Sequence, residues 1–511
     1  MQDEHFILQR LAEKAKIDSE KFSYRLVKKS IDARKEPVVY NATFEVWLKG
    51  APMAEPFEIK VKKLDNNKSV LIIGAGPAGL FAAIELLAYG IKPIIIERGK
   101  NVKDRRRDLA ILNRQGIVNP ESNYCFGEGG AGTYSDGKLY TRSGKRGNIQ
   151  KVLEIFCKFG APDDILIDAH PHIGTNKLPH IITAIREFII EHGGEVYFNK
   201  KFTGINRKSG QVTSIFCADG DVFSADAYIL ATGHSARDIF HLLHKESILI
   251  EQKPFALGVR IEHPQSLINQ IQYHSSNYDD VLPPASYSLV EQVDGRGVFS
   301  FCMCPGGIIA PASTSADELV VNGWSPSKRN NPFANSGMVA EVRAADAADV
   351  LKLKDGYSDP LLFMKFQQLV EQQAYTAGGG NFVAPAQRVV DFCKGKLSSS
   401  IPSNSYLPGT ATADMRAVLP AFVHNALQEG IKKMGKKLKG YYTNDAIVVA
   451  TESRTSSPIR IPRHDEKLHH PQLTNLYPCG EGAGYAGGIV SAAIDGQRVS
   501  AAIASALNAS L

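Results

Sequence analysis

The stretch VLIIGAGPAGLFAAIELLAYGIKPIIIERG, residues Val70 to Gly99, decides the fold of this chain. An apolar run leads into a glycine-rich turn, then an apolar helical segment, then a second apolar run that ends at Glu97. Strand, loop, helix and strand in this order are typical of the β-α-β unit that opens a doubly wound α/β fold. The stretch therefore predicts a parallel sheet with helices packed on it.

The glycines Gly74, Gly76 and Gly79 follow the pattern G-x-G-x-x-G. In this pattern the first glycine allows a tight turn, the second lets a pyrophosphate approach the backbone, and the third lets helix and strand pack closely. The flanking strand and helix favour a nucleotide site over a turn that only packs. Glu97 would accept hydrogen bonds from ribose hydroxyls and repel a 2'-phosphate, so the pattern predicts FAD or NAD rather than NADP.

The composition is that of a globular protein. The chain has 511 residues, of which 43% are hydrophobic and 22% charged, and this length suggests roughly two to four domains. The one long apolar stretch is broken by the glycine loop, Pro77 and Glu85, so no membrane span is predicted. The N-terminus has no apolar signal region, and a cytoplasmic location is expected.

Charge and cysteine usage exclude other classes of protein. A net charge of +6 is spread along the chain, which disfavours nucleic-acid binding. Seven scattered cysteines argue against a disulfide framework, and no zinc-binding spacing is present, so no metal is predicted. Cys302 and Cys304 alternate along a predicted strand and would face the same side. Two buried small side chains are the favoured interpretation, and a redox or substrate-contacting thiol is the alternative.

A second segment, CGEGAGYAGGIVSAAIDG near the C-terminus, could hold a flavin. Glu481 ends a predicted strand, where it could bind a ribityl or phosphate-side group. Gly487 and Gly488 open a predicted helix, whose N-H groups could face the flavin ring and stabilise its reduced form. No second G-x-G-x-x-G with strand and helix context is present, so a stable NAD(P)H domain is not predicted.

The chain resembles the FAD-dependent oxidoreductases of the glutathione-reductase-like two-domain fold, and within them the uncharacterised FAD-dependent dehydrogenases. The resemblance rests on the two glycine-rich segments above and on CFGEGGAGTYSDGKL, HIGTNKLP, ILATGHSARD, KPFALGVRIEHP, LPPASYSL, GGGNFVAPAQRV and ESRTSSPIRI. It implies that the nucleotide is FAD. It also implies a discontinuous FAD-binding domain with a substrate domain inserted between its parts.

The predicted fold class is α/β, with a Rossmann-like discontinuous FAD-binding domain, an inserted α+β substrate domain and a small N-terminal α+β module. The predicted boundaries are 1–64 for the N-terminal module, 68–240 and 439–511 for the two parts of the FAD-binding domain, and 241–438 for the substrate domain.

The candidate cofactor-binding residues lie in the two glycine segments, at the end of the second strand, in the CFGEGGAGTYSDGKL loop and in the ATG turn. They are Gly74, Gly76, Pro77, Ala78, Gly79, Glu97, Arg98, Arg105, Gly129, Gly130, Gly132, Thr133, Ser135, Lys138, Ala231, Thr232, Gly233, Gly480, Glu481, Gly487, Gly488 and Ile489. The resemblance implies that the CFGEGGAGTYSDGKL loop runs along the pyrophosphate and the isoalloxazine.

The candidate catalytic residues are Arg454 and Ser456, in a polar cluster after an apolar strand, and Tyr485, inside the last glycine loop. Each has a structural alternative: a hydrogen-bonded turn for the first two and packing for Tyr485. His234 is a general base or, preferably, a cap for the helix that follows it.

Together these features predict a FAD-dependent oxidoreductase of dehydrogenase type that transfers a hydride between a small-molecule substrate and flavin N5, with a group of the inserted domain accepting the proton. A nicotinamide donor, NADH or NADPH, would have to dock transiently in the cleft. The alternatives are a flavin-dependent RNA-modifying enzyme and a non-catalytic flavin-binding redox sensor. The substrate and the oligomeric state are not readable from the sequence.

Overall fold

A computed structural model describes residues 4–51, 55–141, 143–274, 282–353 and 358–509. Parts of the predicted N-terminal module (1–3, 52–54), of the predicted substrate domain (275–281, 354–357) and of the predicted FAD-binding parts (142, 510–511) lie outside the described residues.

Twelve α-helices lie in the described ranges. They are α1 Glu4–Ala15, α2 Pro77–Tyr89, α3 Val102–Gln115, α4 Ile149–Lys158, α5 Leu178–Glu191, α6 Arg237–Lys245, α7 Gln265–Tyr273, α8 Ala344–Val350, α9 Leu362–Ala377, α10 Val389–Cys393, α11 Ala421–Lys437 and α12 Ile489–Ala509.

The strands are β1 Phe22–Asp32, β2 Val39–Leu48, β3 Asp65–Ile73, β4 Ile91–Ile96, β5 Glu195–Tyr197, β6 Phe202–Lys208, β7 Gln211–Cys217, β8 Val222–Phe223, β9 Ala227–Leu230, β10 Glu251–Gln252, β11 Phe255–Pro264, β12 Val290–Val293, β13 Arg296–Cys304, β14 Ile308–Pro311, β15 Val321–Trp324, β16 Phe333–Val342, β17 Ala384–Arg388, β18 Thr410–Thr412, β19 Ile447–Glu452, β20 Ile459–Arg460 and β21 Leu476–Pro478.

The predicted doubly wound unit is confirmed. Strands β21, β9, β3, β4 and β5 form a parallel sheet in this order, and α2 connects β3 to β4. Helix α2 begins at Pro77, whose fixed φ suits a first helical turn, and ends at Gly90 in the left-handed conformation. The buried faces of α2, α4, α5 and α12 share one apolar core with this sheet.

Helix α12 brings the C-terminal glycine segment beside the first one. Gly496 lets α12 approach α2 closely, because a Cβ there would lie 2.1 Å from the Ala78 carbonyl oxygen. The Ser500 hydroxyl also donates a hydrogen bond to the Ala82 carbonyl. Two segments far apart in sequence therefore meet at one end of the parallel sheet.

A seven-stranded sheet forms the second large layer, in the order β12-β13-β16-β11-β19-β17-β18. Its pairs are antiparallel except for β17 with β18. A separate core of apolar side chains covers it, with contributions from α7, α8, α9, α10 and α11.

One predicted boundary differs from the structure. The segment 439–511 was predicted to belong to the FAD-binding domain, but β19 pairs with β11 and β17 in the seven-stranded sheet. All six residues of β19 are buried. An apolar strand that is covered on both faces has the same pattern in either sheet, so the sequence could not assign it. The remaining boundaries stay predictions.

The N-terminal segment contains α1 and the antiparallel hairpin of β1 and β2. Helix α1 has no buried residue. The hairpin is attached to the rest of the chain through Lys29, whose backbone N-H donates to the Ile167 carbonyl and whose carbonyl accepts from the Ala169 N-H. Within the described residues, no helix is long and apolar enough to cross a membrane.

Candidate functional site

A cleft of about 410 Å³ opens where the carboxyl ends of β3, β4 and β9 meet the starts of α2 and α12. This is the edge at which open α/β sheets bind ligands. The far wall comes from the seven-stranded sheet, from the neighbouring β14-β15 pair and from the segment after β19, through Phe301, Cys302, Asn322, Arg454 and Thr455.

The three glycines of the G-x-G-x-x-G pattern have different surroundings. A Cβ at Gly74, where φ is +112°, would lie 2.4 Å from the Ala231 carbonyl oxygen, and one at Gly79 would lie 2.0 Å from the Gly74 oxygen. At Gly76 the nearest atom to a Cβ would be Gly130 Cα at 3.9 Å. Packing therefore requires Gly74 and Gly79, whereas Gly76 leaves open a space that faces the cleft at the N-terminus of α2.

Glu97 directly follows β4, and although it is buried it lines the cleft. Its Oε1 accepts hydrogen bonds from the N-H groups of Gly99 (3.0 Å) and Gly127 (2.9 Å), and its Oε2 accepts one from Ala75 N-H (2.9 Å). Since a carboxylate offers about four lone-pair sites, it can still accept a ligand hydroxyl. Glu97 thus ties the first glycine turn to the second loop.

Arg105 does not reach the cleft, which corrects its prediction as a cofactor ligand. It is fully buried and donates hydrogen bonds to the carbonyls of Asn123 (2.9 Å), Glu128 (2.8 Å), Tyr124 (3.0 Å) and Gly130 (2.8 Å). These contacts hold the loop that contains the predicted glycines. The sequence could not show this, because an arginine near a glycine loop suits phosphate and carbonyl oxygens equally.

Thr133 and Gly129 also serve the shape of this loop. The Thr133 hydroxyl donates to the Glu128 carbonyl at 2.7 Å, and a Cβ at Gly129 would lie 1.9 Å from that hydroxyl oxygen. Neither residue lines the cleft, whereas Gly130, Gly132 and Ser135 of the same loop do.

Arg98 lines the cleft and is held by two carboxylates. Its Nε donates to Glu121 at 2.7 Å and its Nη1 to Asp238 at 2.8 Å, while the guanidinium lies 4.2 Å from the centre of the Phe126 ring. The two carboxylates raise the pKa of Arg98 against the effect of burial.

The turn after β9 brings Ala231, Thr232 and Gly233 to the cleft as predicted, together with His234. The preferred prediction for His234 was wrong: α6 is capped by Ala236, without a side-chain hydrogen bond. His234 Nδ1 instead lies 3.4 Å from Oε1 of Glu481, which also lines the cleft.

The start of α12 is open toward the cleft. Gly487, Gly488 and Ile489 line it, and a Cβ at either glycine would meet no atom within 4 Å. Gly480 does not line the cleft. Its N-H donates a hydrogen bond to Asp495 at 2.8 Å. Two helix N-termini, of α2 and of α12, thus face one cleft, and both carry glycines that no neighbouring atom requires. This cradle fits a long, flat, anionic cofactor.

Arg454 lines the cleft but lies in a closed group of charges. Its guanidinium contacts Glu371 (2.8 Å) and Glu318 (3.3 Å), and Arg237 contacts the same two carboxylates at 2.9 and 2.8 Å. Burial would lower the pKa of Arg454, but Glu371 raises it above its ordinary value. The contacts favour a structural role, and a substrate contact would use the remaining N-H of Nη1, which also donates to Thr314.

Ser456 and Tyr485 do not line the cleft. The Ser456 hydroxyl accepts a hydrogen bond from Lys253 at 3.4 Å. The Tyr485 ring lies under the guanidinium groups of Arg463 (3.7 Å) and Arg460 (5.0 Å). The structure thus brings neither candidate to the reacting end of the cleft.

The predicted residues that line the cleft are Gly74, Gly76, Pro77, Ala78, Glu97, Arg98, Gly130, Gly132, Ser135, Lys138, Ala231, Thr232, Gly233, Glu481, Gly487, Gly488, Ile489 and Arg454. Those that do not are Gly79, Arg105, Gly129, Thr133, Gly480, Ser456 and Tyr485.

Sequence reasoning missed Phe301 and Asn322, and for Cys302 it favoured a buried side chain over a substrate-contacting thiol. All three line the cleft: Phe301 and Cys302 from β13 of the seven-stranded sheet, and Asn322 from β15, which pairs with β14 in a separate two-stranded sheet. No local motif marks these positions, because only the approach of the second sheet brings them to the nucleotide-binding edge. Strand β13 also contains a bulge between Phe301 and Cys304, so successive side chains there do not simply alternate between the two faces of the sheet.

Family comparisons agree with this geometry. Residues 67–131 match the sequence model described as "FAD binding domain", 137–278 match "Flavin containing amine oxidoreductase", and 254–455 match "FAD-dependent protein, C-terminal domain-like". Residues 1–47 match a domain of unknown function. The third match extends through β19, which pairs in the seven-stranded sheet.

Solved structures that the chain matches have low sequence identity to it. One is 2,6-dihydroxypyridine-3-hydroxylase from Arthrobacter nicotinovorans, with 9% identity, a TM-score of 0.38, and 87% of this chain and 85% of that chain covered. Another is a geranylgeranyl bacteriochlorophyll reductase-like protein from Thermoplasma acidophilum, with 11% identity, a TM-score of 0.35, and 87% and 80% covered.

An uncharacterized protein of Clostridium beijerinckii is 41% identical over 495 residues, which cover 93% of this chain and 91% of that protein. The cofactor is FAD, as the matched FAD-binding segment and the open cradle at both helix starts indicate. The chain belongs to the same family as the Clostridium beijerinckii protein, and it is a FAD-dependent oxidoreductase.

Proposed function

We propose that this protein is a dehydrogenase or reductase that exchanges two electrons with a small molecule bound against the wall of Phe301, Cys302 and Asn322. Bound FAD supplies an isoalloxazine ring whose N5 atom accepts or releases a hydride. The observation that carries the proposal is that one cleft contains both the dinucleotide-binding glycines and side chains of the seven-stranded sheet.

Each part of the cleft would have a distinct task. The N-H groups at the start of α2, beside Gly76, would bind the pyrophosphate, and Glu97 would accept hydrogen bonds from the ribose. The start of α12, at Gly487 and Gly488, would lie against the flavin ring, where its positive end stabilises negative charge. These roles follow from the open space at the glycines and from the lining of the cleft.

The substrate would lie between the start of α12 and the seven-stranded sheet. Lys138 contributes a cation there, because Cys302, Cys304 and Asp136 raise its pKa against the effect of burial. A substrate with an anionic or carbonyl oxygen would be oriented by this ammonium group. Asn322 and Thr455 add hydrogen-bonding side chains on the same wall.

The test is the visible spectrum of the purified holoenzyme, followed anaerobically while NADH, NADPH and then fractionated cell metabolites are added. We expect the flavin absorbance to bleach with a nicotinamide or with one metabolite fraction. Bleaching by a nicotinamide indicates a reductase, and bleaching only by a metabolite indicates a dehydrogenase. Flavin that dithionite reduces but that no nicotinamide and no metabolite fraction reduces would contradict the proposal and favour a redox sensor.

A further inference from the structure

Two cysteines of β13 lie at the wall of the cleft. The pairing of β13 with β16 shifts between Phe301 and Cys304, and Cys302 has a φ of +47° at this bulge. Cys302 is half-buried and lines the cleft, whereas Cys304 is fully buried behind it. The irregular strand thus exposes one sulfur to the cofactor cleft and keeps the second beside it.

Lys138 contacts both sulfurs. Its Nζ lies 3.7 Å from Cys302 Sγ and 3.5 Å from Cys304 Sγ. The Cys304 thiol donates to the Cys302 carbonyl at 3.3 Å, and Nη2 of Arg260 lies 3.5 Å from Cys304 Sγ. Two cations from different elements therefore surround two neighbouring thiols.

The charges at this site favour a thiolate on Cys302. The neighbouring Cys304 side chain lowers the pKa of Cys302 most, burial opposes it, and Lys138 and Arg260 lower it further. The carboxylates of Asp136 and Glu452 also act on the Cys302 sulfur, with negative charge. Each carboxylate is paired with a cation: Asp136 lies 3.5 Å from Lys138 Nζ, and Glu452 lies 2.8 Å from Arg260 Nη1. The net effect holds the pKa of Cys302 well below its ordinary value and that of Cys304 above it.

Other buried cysteines of the chain lack this environment. Burial raises the pKa of Cys217, Cys393 and Cys479, as expected for inert thiols in a core. Only a thiolate is a good nucleophile toward sulfur, and a reactive pair needs one thiolate and one nearby thiol. Cys302 and Cys304 meet this requirement next to the flavin site.

We propose that Cys302 and Cys304 are a second redox centre, a dithiol-disulfide couple that exchanges two electrons with bound FAD. The Cys302 thiolate and the Cys304 thiol form one S-S bond, and the S-H bond of Cys304 breaks. The pair loses two electrons and one proton, all of which the oxidised flavin takes up, and the reverse step restores the thiols. This activity goes beyond the proposed function and requires only that FAD is bound.

The spacing permits the bond. Both sulfurs face one side of β13, since each lies within 3.7 Å of the same Lys138 Nζ atom. A fully extended strand sets an upper limit of about 6.6 Å between Cα atoms two residues apart, and disulfides span about 4.4 to 6.8 Å.

The test is an anaerobic dithionite titration of the oxidised holoenzyme. We expect uptake of about four electrons per FAD in the wild type, two by the flavin and two by the disulfide. Cys302→Ser and Cys304→Ser should each take up about two. Cys157→Ser, which removes a thiol outside the cleft, should keep the wild-type value. A wild-type uptake of about two electrons would overturn the proposal.

A second measurement does not depend on variants that fold and retain FAD. Peptide mapping of the wild type, after alkylation of free thiols, should show a Cys302-Cys304 disulfide in the oxidised holoenzyme and two alkylated cysteines after reduction. Free thiols at both positions in the oxidised holoenzyme would overturn the proposal. Cys304 does not line the cleft, so reduction of the flavin by a substrate in Cys304→Ser would leave the proposed function intact, and the two proposals fail separately.

Lys138 is assigned as a positioning residue for this couple. In Lys138→Met the pH profile of Cys302 alkylation should move to higher pH, because the thiolate loses its nearest cation. Lys138→Arg, which keeps a cation at this position, should have a pH profile close to that of the wild type. An unmoved profile in Lys138→Met would overturn this assignment.

Discussion

Substitution by alanine should weaken FAD binding at Gly76 but lower the stability of the apoprotein at Gly79, although both glycines belong to one motif. Gly76→Ala adds a Cβ whose nearest neighbour, Gly130 Cα, is 3.9 Å away, which is an ordinary contact. Gly79→Ala adds a Cβ only 2.0 Å from the Gly74 carbonyl oxygen, inside the turn itself. The first change fills a space reserved for the cofactor, and the second forces helix α2 away from the turn.

The magnitudes follow from these distances. Gly76 precedes α2, so alanine there should lower the free energy of unfolding of the apoprotein by less than about 1 kcal/mol. Its methyl group should separate the pyrophosphate from the backbone N-H groups and weaken FAD binding at least about tenfold, or about 1.4 kcal/mol. Gly79→Ala should destabilise the apoprotein by about 1 to 3 kcal/mol through overpacking.

The assay pairs urea unfolding of the deflavinated proteins with FAD titration followed by flavin fluorescence. We expect Gly76→Ala to unfold near the wild-type urea midpoint but to bind FAD weakly, and Gly79→Ala to unfold earlier. A wild-type FAD dissociation constant in Gly76→Ala would refute the reasoning, because the open space would then not be the pyrophosphate site.

Further predictions concern the charged residues. Glu97→Gln should weaken FAD binding by about 1 to 3 kcal/mol, measured by calorimetric titration, and an unchanged dissociation constant would remove Glu97 from the ribose site. Arg105→Met should lower the free energy of unfolding by about 3 kcal/mol or more, because four buried carbonyls lose their donor; a wild-type urea midpoint would contradict this. Arg454→Met should lower it by about 3 to 5 kcal/mol while FAD stays bound, since Glu371 and Glu318 lose a partner; lost FAD with unchanged stability would place Arg454 at the cofactor instead. Burial raises the pKa of Glu371, but Arg237 and Arg454 outweigh this effect and lower that pKa from 4.5 to about 2. The stabilisation by ionised Glu371 is therefore complete above pH 4.5 and is lost as the pH falls toward 2. Over that pH range, Arg454→Met should lose less of its free energy of unfolding than the wild type does.

Much of the nucleotide site could be predicted because its signals are local. Gly74, Gly76, Gly79 and Glu97 lie within one β-α-β unit, where the order of strand, turn and helix determines their positions. Arg105 shows the limit of such reasoning. Its residue type suits a phosphate, but four carbonyls of a following loop use its guanidinium.

The reacting end of the cleft could not be predicted in the same way. Arg454 was predicted as a catalytic residue and lines the cleft, but its four-charge group with Arg237, Glu318 and Glu371 joins four separate segments. Lys138 was expected at the cofactor, but its contact with Cys302 was not, because the two residues are 164 positions apart in the chain and only tertiary packing brings them together.

The sequence by itself determined the β-α-β unit, a nucleotide site for FAD or NAD rather than NADP, and the presence of a second glycine segment at the start of a helix, because short-range patterns specify turns, caps and helix starts. The meeting of α2 with α12, the placement of β19 and the pairing of two thiols with Lys138 depend on how two sheets pack against each other. Such contacts join residues far apart in the chain, and an apolar strand carries no mark of the sheet it will enter.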